Sequence, residues 1–188
     1  MKFEFWCRYQ RARILLFFNR TEEAIAELET LLQCDPSSVR VTSLLGYLHG
    51  TRGDYSRAIA LFRRALENAP DNQVLMFDLA YVLQLNKDYV EAIDWFHRVV
   101  SADKLHDRAW YGMGLALAAM ARHGEAAAAL EHAAELQPMN GFAWYELGRA
   151  YDALGQRSDL ARVIAHLNRV DPKAGRQLAK DTGRQTAD

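Results

Sequence analysis

The apolar residues of this chain recur at helical spacing, and the spacing itself recurs along the sequence. Residues 55–68 read YSRAIALFRRALEN. Ala58, Ile59, Leu61, Phe62, Ala65 and Leu66 follow the i, i+3, i+4, i+7 rule of a single buried helical face, while Arg57, Arg63, Arg64 and Glu67 fill the other face. A second helical segment precedes this one, and Gly53 and Asp54 break the two apart. Asp54 can cap the second helix, and Asp88 stands in the same place 34 residues later. The pattern predicts pairs of helices joined by tight turns.

The pair repeats with a fixed period. Alanines at 24, 58, 92 and 126 step by 34, with Leu160 in the fifth place. Leu28, Phe62, Phe96, Leu130 and Ile164 keep the same step, as do Leu45, Leu79, Met113 and Leu147, and the small residues Ala12, Gly46, Ala80, Gly114 and Gly148. Prolines fall at 36, 70, 138 and 172, and Lys104 takes the place of the missing one, which predicts a looser stop there. Ser38, Asn72 and Asn140 follow two residues after a proline, where the next helix should start. Five contiguous repeats result, 5–38, 39–72, 73–106, 107–140 and 141–174, with no residue inserted or deleted between them.

The small residues have a physical meaning. Glycine within a helix costs about 1 kcal/mol relative to alanine, so Gly46, Gly114 and Gly148 require a packing reason. Close approach of the partner helix supplies it. The large residue at 28, 62, 96, 130 or 164 then fills the space to the neighbouring hairpin. A single hairpin cannot bury both faces, so the repeats must stack.

This register resembles the tetratricopeptide repeat, whose signature is Trp-x2-Leu-Gly-x2-Tyr, then Ala-x3-Phe, then Pro. The fifth repeat carries Trp144, Leu147, Gly148 and Tyr151. The second carries Leu45, Gly46, Ala58, Phe62, Ala65 and Pro70, and the fourth Trp110, Gly114, Ala126, Ala133 and Pro138. The resemblance implies an all-α, right-handed α-α superhelical solenoid over residues 1–174, leaving 175–188 as a short polar tail. Arg8 and Arg11 stand where the first repeat should have Trp and Leu, which fits an N-terminal end repeat. The tail offers only Leu178 as a sizeable apolar residue. The last apolar face, with Leu160, Ile164 and Leu167, is therefore expected to be thinly covered and open to a second copy of the chain or to further sequence.

The resemblance also implies where a partner would bind. In the family, first helices line a concave face, and certain positions of each point into it. Here those positions include Tyr9, Arg13, Arg40, Tyr47, Phe77, Asp78, Tyr81, Arg108, Tyr111, Tyr145 and Arg149. The repeat signature does not require them, and the tyrosines combine large area with a polar handle. Such an aromatic ladder suits a protein or peptide ligand of mixed character. Packing between adjacent first helices is the competing use of the same rings. The family's receptors for C-terminal carboxylates carry a Lys/Asn pair that this chain lacks: its paired places hold Tyr9/Arg13, Ser43/Tyr47, Phe77/Tyr81, Tyr111/Leu115 and Tyr145/Arg149.

Composition narrows the function further. Half of the residues are hydrophobic and a quarter charged, with a net charge of −1. That excludes an intrinsically disordered chain and disfavours a general nucleic-acid binder. The local exception is the first twenty residues, where Lys2, Arg8, Arg11, Arg13 and Arg20 face only Glu4. This cluster reads as a solvated helix end or a docking patch for an acidic partner or lipid. The apolar run ILLFF at 14–18 is too short to span a bilayer, and the N-terminal stretch has no signal-peptide cleavage pattern, so the cytoplasm is the default compartment. Cys7 and Cys34 give neither a disulfide framework nor a zinc site, and two reduced thiols are expected. The six histidines lack metal-ligand spacing, and His132 and His166, one repeat apart, should lie side by side on the solvated convex face. The RGD at 52–54 marks a turn. No catalytic residue, metal site or cofactor is called for. The expected function is a protein-interaction scaffold or adaptor. A secretion or assembly chaperone and the regulatory repeat region of a larger enzyme are the alternatives.

Overall fold

The computed structural model describes residues 2–183, with the side chain of Lys2 excepted. Eleven helices and no strand occur among them: α1 (Lys2–Phe17), α2 (Thr21–Cys34), α3 (Val39–Thr51), α4 (Tyr55–Asn68), α5 (Gln73–Leu85), α6 (Tyr89–Ala102), α7 (Asp107–Ala119), α8 (His123–Leu136), α9 (Gly141–Ala153), α10 (Arg157–Val170) and α11 (Pro172–Asp181). The chain forms two compact bodies, Met1–Asp88 and Tyr89–Asp188.

The helix starts follow local chemistry. Asp54 accepts the backbone N–H of Arg57 at the head of α4. Asn72 accepts those of Val74 and Leu75 at α5, and Asn140 accepts that of Phe142 at α9. Each satisfies an N–H that has no partner within its helix. Ser38 makes no such side-chain bond at α3. Where Lys104 replaces the expected proline, α7 still starts on time, because His106 Nδ1 accepts the Ala109 N–H.

The turns inside the hairpins share a device that composition conceals. Residues 19, 53, 87, 121 and 155 all have positive φ, at 58°, 80°, 68°, 58° and 68°. Only Gly53 and Gly155 among them are glycines; Asn19, Lys87 and Ala121 hold the left-handed conformation with a side chain. The tight reversal needs that conformation once every 34 residues, whatever residue occupies the place.

In the N-terminal body α1 packs on α2, α2 on α3, α3 on α4 and α4 on α5. Its core includes Ala12, Leu15, Ala24, Leu28, Leu31, Val41, Leu45, Ala58 and Phe62. In the C-terminal body the consecutive helices α6 to α11 pack in turn around Phe96, Leu130, Leu147, Leu160, Leu167 and Leu178. The mid-helix glycines sit where the expected close approaches occur. A Cβ on Gly46 would stand 3.1 Å from the Phe62 ring, and one on Gly114 would stand 2.6 Å from Leu130 Cγ. Gly112 does the same against Phe96, at 2.5 Å.

The end of the chain departs from the expected polar tail. Pro172 opens α11, capped by the Asp171 carboxylate on the Lys173 and Ala174 N–H groups. Gly175, Leu178 and Ala179 then turn inward, one i, i+3, i+4 stripe in an otherwise polar helix. Leu178 is fully buried and is the closest neighbour of Gly148. Leu160, Ile164 and Leu167 are buried as well. The last face is thus covered from within the chain, and the argument for a homo-oligomer through an uncovered last repeat falls with it. Residues 184–188 of the expected tail lie outside the described residues.

Candidate functional site

The residues expected to line a binding face divide by what surrounds them. In the N-terminal body, Tyr9 and Arg13 of α1 border a hollow of about 700 Å³, completed by Gln10, Ile14, Phe17 and Leu44. Arg40 of α3 lies over the Tyr9 ring, 5.7 Å from its centroid. That placement is within cation–π range. Tyr47 and Tyr81 are 58% and 47% exposed, so about half of each residue meets solvent although neighbouring repeat positions are buried. Phe77 stacks on Tyr81 with ring centroids 6.4 Å apart and an interplanar angle of 9°.

Phe77 itself departs from the expectation. It is only 8% exposed and belongs to the core of its body, where it backs Tyr81 instead of meeting a ligand. Packing has claimed this ring, the competing use that the sequence left open. Asp78 beside it is half-buried.

In the C-terminal body, Arg108 and Tyr111 of α7 line a smaller hollow of about 110 Å³, together with Asn140, Phe142 and Ala143. Burial, followed by the nearby Glu146 carboxylate, raises the pKa of Tyr111 above the ordinary tyrosine value. Arg149 pairs with Glu146 at 3.2 Å. Tyr145 is already engaged: its hydroxyl donates to Asp181 of α11, which also receives the Gln177 amide. That hydrogen bond is the main cause raising the Tyr145 pKa. A capping helix thus occupies the polar end of a ring that the sequence had offered to a ligand.

The basic N-terminal cluster is largely internally compensated. Arg11 lies 3.3 Å from Glu27 of α2, Arg8 approaches Glu4 and the same Glu27, and Arg20 pairs with Glu23. The Lys2 side chain lies outside the described residues. The RGD turn is likewise accounted for by local structure: Arg52 pairs with Glu22 at 2.8 Å, Gly53 takes the left-handed φ, and Asp54 caps α4.

Two features were not found by sequence reasoning. His49 is buried, with Nδ1 3.2 Å from the Asp54 carboxylate, which ties α3 to the cap of α4. His132 and His166 are not simply solvated. Each lies against a tryptophan of its own hairpin, His132 on Trp110 at 4.6 Å and His166 on Trp144 at 4.1 Å. The indole N–H groups of Trp110 and Trp144 donate to the carbonyls of Lys104 and Pro138. The 34-residue step from Trp110 to Trp144, matched by that from His132 to His166, was the available signal. Both cysteines are free. Among the described residues no group of three or more His, Cys, Asp or Glu is placed to hold a metal ion, and no helix is long and apolar enough to cross a membrane.

Comparison with known proteins agrees with this geometry. Family models described as tetratricopeptide repeat match residues 9–73, 44–107 and 107–140. Among solved structures, the chain is similar to YrrB, described as a TPR protein with an unusual peptide-binding site. The TM-score is 0.82 at 22% identity, covering 94% of this chain and 90% of that one. It is also similar to MamA, with a TM-score of 0.83 at 18% identity over 100% and 98% of the two chains. A MamA from Desulfovibrio magneticus RS-1 gives 0.80 at 21% over 94% and 96%. Among curated proteins, superkiller complex protein 3 of Mus musculus is 29% identical over 80 residues. That match takes in 43% of this chain, which spans 5% of the length of the mouse protein.

Proposed function

Since the chain belongs to the tetratricopeptide repeat family, a family of protein-interaction scaffolds, we propose that it is an adaptor whose first helices hold a segment of a protein partner. In the N-terminal body the anchors are Tyr9, Arg40, Tyr47 and Tyr81; in the C-terminal body they are Arg108 and Tyr111. The observation that carries this reading is the exposure of Tyr47 and Tyr81. Both are large rings that the repeat does not use, standing among positions that it buries. Exposed aromatics with a polar tip are the residues that dominate binding energy at protein interfaces. The Arg40–Tyr9 contact adds a cation beside an aromatic face, so the favoured ligand is a segment that pairs apolar side chains with a carboxylate. The activity is binding and not catalysis, in keeping with the family.

The test is selection of binding peptides from a displayed library, followed by affinity measurement. The best peptides should lose about 1 kcal/mol or more, roughly fivefold or greater, on Tyr81→Ala. Peptides insensitive to Tyr9, Tyr47 and Tyr81 substitutions alike would place recognition elsewhere.

A further inference from the structure

Helix α1 has two apolar faces, and only one of them is used. Ala12 and Leu15 turn toward the rest of the N-terminal body and are buried. On the opposite side, Phe3, Trp6, Ile14 and Phe17 are 78%, 53%, 58% and 85% exposed, and Phe18, just past the helix, is 67% exposed. At about 100° per residue, positions 3, 6, 10, 13, 14 and 17 fall within an arc of about 100°. They form one continuous stripe and not scattered surface residues.

The repeat register divides the stripe. The places equivalent to Ile14 in the later repeats are Leu48, Val82, Ala116 and Ala150, and all four are buried. The places equivalent to Gln10 include Gly112, which receives the Phe96 ring of the preceding helix. Ile14 thus stands where later repeats seat a neighbouring helix. The places equivalent to Phe3, Trp6 and Phe17 stay exposed there, and no later first helix carries large apolar residues at all four.

The order of residues on the stripe selects its occupant. Phe3 and Phe17 are equidistant from Gln10, and so are Trp6 and Ile14. A two-fold axis through Gln10 therefore lays Phe3 on Phe17 and Trp6 on Ile14 of an antiparallel copy, while the two Gln10 amides meet each other. A self-complementary patch of this kind is what an isologous dimer requires. A central polar pair among apolar layers fixes the register of paired helices. Arg13, next to Ile14, comes within reach of the Trp6 face across the axis, a cation on an indole. Covering five large side chains removes roughly 500–700 Å² per copy, approaching the ~800 Å² per partner of a standard interface and at the upper end of the roughly 300–600 Å² patches that monomers leave exposed.

We propose that α1 is a homodimerisation helix, which pairs antiparallel with α1 of a second copy about a two-fold axis at Gln10. The C-terminal end is no match for this stripe, since the outward residues of α11 are Lys173, Arg176, Gln177 and Lys180, so a head-to-tail chain of copies is disfavoured.

The test is light-scattering mass and sedimentation of the whole chain over a concentration series, with wild type compared to Ile14→Glu. The wild type should be a dimer, and Ile14→Glu should weaken association about a hundredfold, because each dimer would bury two unpaired carboxylates. Circular dichroism of the variant should be unchanged, since residue 14 is exposed in the single chain. Cross-linking then tests the axis in a Cys7→Ser, Cys34→Ser background. Gln10→Cys should form an intermolecular disulfide, Phe3→Cys alone should not, and a mixture of Phe3→Cys and Phe17→Cys chains should. A wild type that stays monomeric at high concentration, or a dimer that survives Ile14→Glu, overturns the proposal. Self-cross-linking of Phe3→Cys would replace the antiparallel arrangement with a different one and overturn it as well.

Discussion

Gly114→Ala should destabilise the protein even though it replaces the poorer helix former with the best one. Two opposing terms decide the sign. In mid-helix the substitution gains about 1 kcal/mol of propensity. Against this, the new methyl would sit 2.6 Å from Leu130 Cγ, 2.8 Å from its Cδ2 and 3.4 Å from the Ala126 carbonyl oxygen. Cγ is the branch point of a fully buried leucine, so relief needs movement of the whole side chain or of α8, not rotation of one methyl. Overpacking of that kind costs about 1–3 kcal/mol, and the net expectation is a loss of about 1 kcal/mol. Gly46→Ala is the internal control. Its methyl would meet the edge of the Phe62 ring at 3.1–3.2 Å, which a shift of a few tenths of an ångström relieves. Propensity and strain should roughly cancel there. Urea denaturation followed by circular dichroism measures both variants, with unchanged m values showing that stability alone has moved. A Gly114→Ala protein more stable than wild type would refute the close-contact account of these glycines. Equal losses at positions 46 and 114 would also refute it, since the distances predict a difference.

Ala121→Gly should stabilise the α7–α8 turn by about 0.5–1 kcal/mol, because Ala121 sits at φ 58° and a left-handed conformation costs a non-glycine residue about 1–2 kcal/mol, partly offset by unfolded-state entropy; a lower urea midpoint would contradict this. Phe77→Ala should cost about 3 kcal/mol or more as a buried aromatic truncation, whereas Tyr81→Ala, which removes a half-exposed ring stacked on Phe77, should cost only about 1 kcal/mol; similar losses for both would remove the distinction drawn between them. The Tyr145 pKa is raised chiefly by its hydrogen bond to Asp181. A raised folded-state value means that the contribution is fully present below the ordinary tyrosine pKa of 10.0 and is lost as pH rises through the higher folded value. Hydrogen exchange of α11 amides should accelerate beyond its intrinsic pH dependence over that alkaline window in wild type, and Tyr145→Phe should abolish the excess.

The helical pairs and their register were legible because buried positions recur with one period and without insertions. Leu28, Phe62, Phe96 and Leu130 are all buried, as that period requires. The turns were less legible. The left-handed position is glycine only at 53 and 155, so residue identity alone does not display the period that the backbone keeps. Helix α11 was hidden by composition: three inward residues, Gly175, Leu178 and Ala179, suffice to seat it, and a search for large apolar residues finds only one of them. Phe77 and Tyr47 show the limit at the candidate site. Both are aromatic and stand on the expected side of a first helix, yet one is packed and the other open. Their difference depends on what the neighbouring helix places beside them, which is a property of packing and not of spacing. Tyr145 makes the same point, since its partner Asp181 lies 36 residues away in a segment that the sequence offered as a tail.

The central claim is that the open tyrosines of the first helices hold the partner. Its most direct test is isothermal titration of a selected peptide into wild type, Tyr47→Ala, Tyr81→Ala and, as a control on the opposite helices, Arg63→Ala. The account predicts weaker binding by about fivefold or more for each tyrosine variant, unchanged affinity for the control, and a cooperatively folded protein in every case. Tyrosine variants that bind as tightly as wild type, with the loss falling on Arg63→Ala instead, would contradict it.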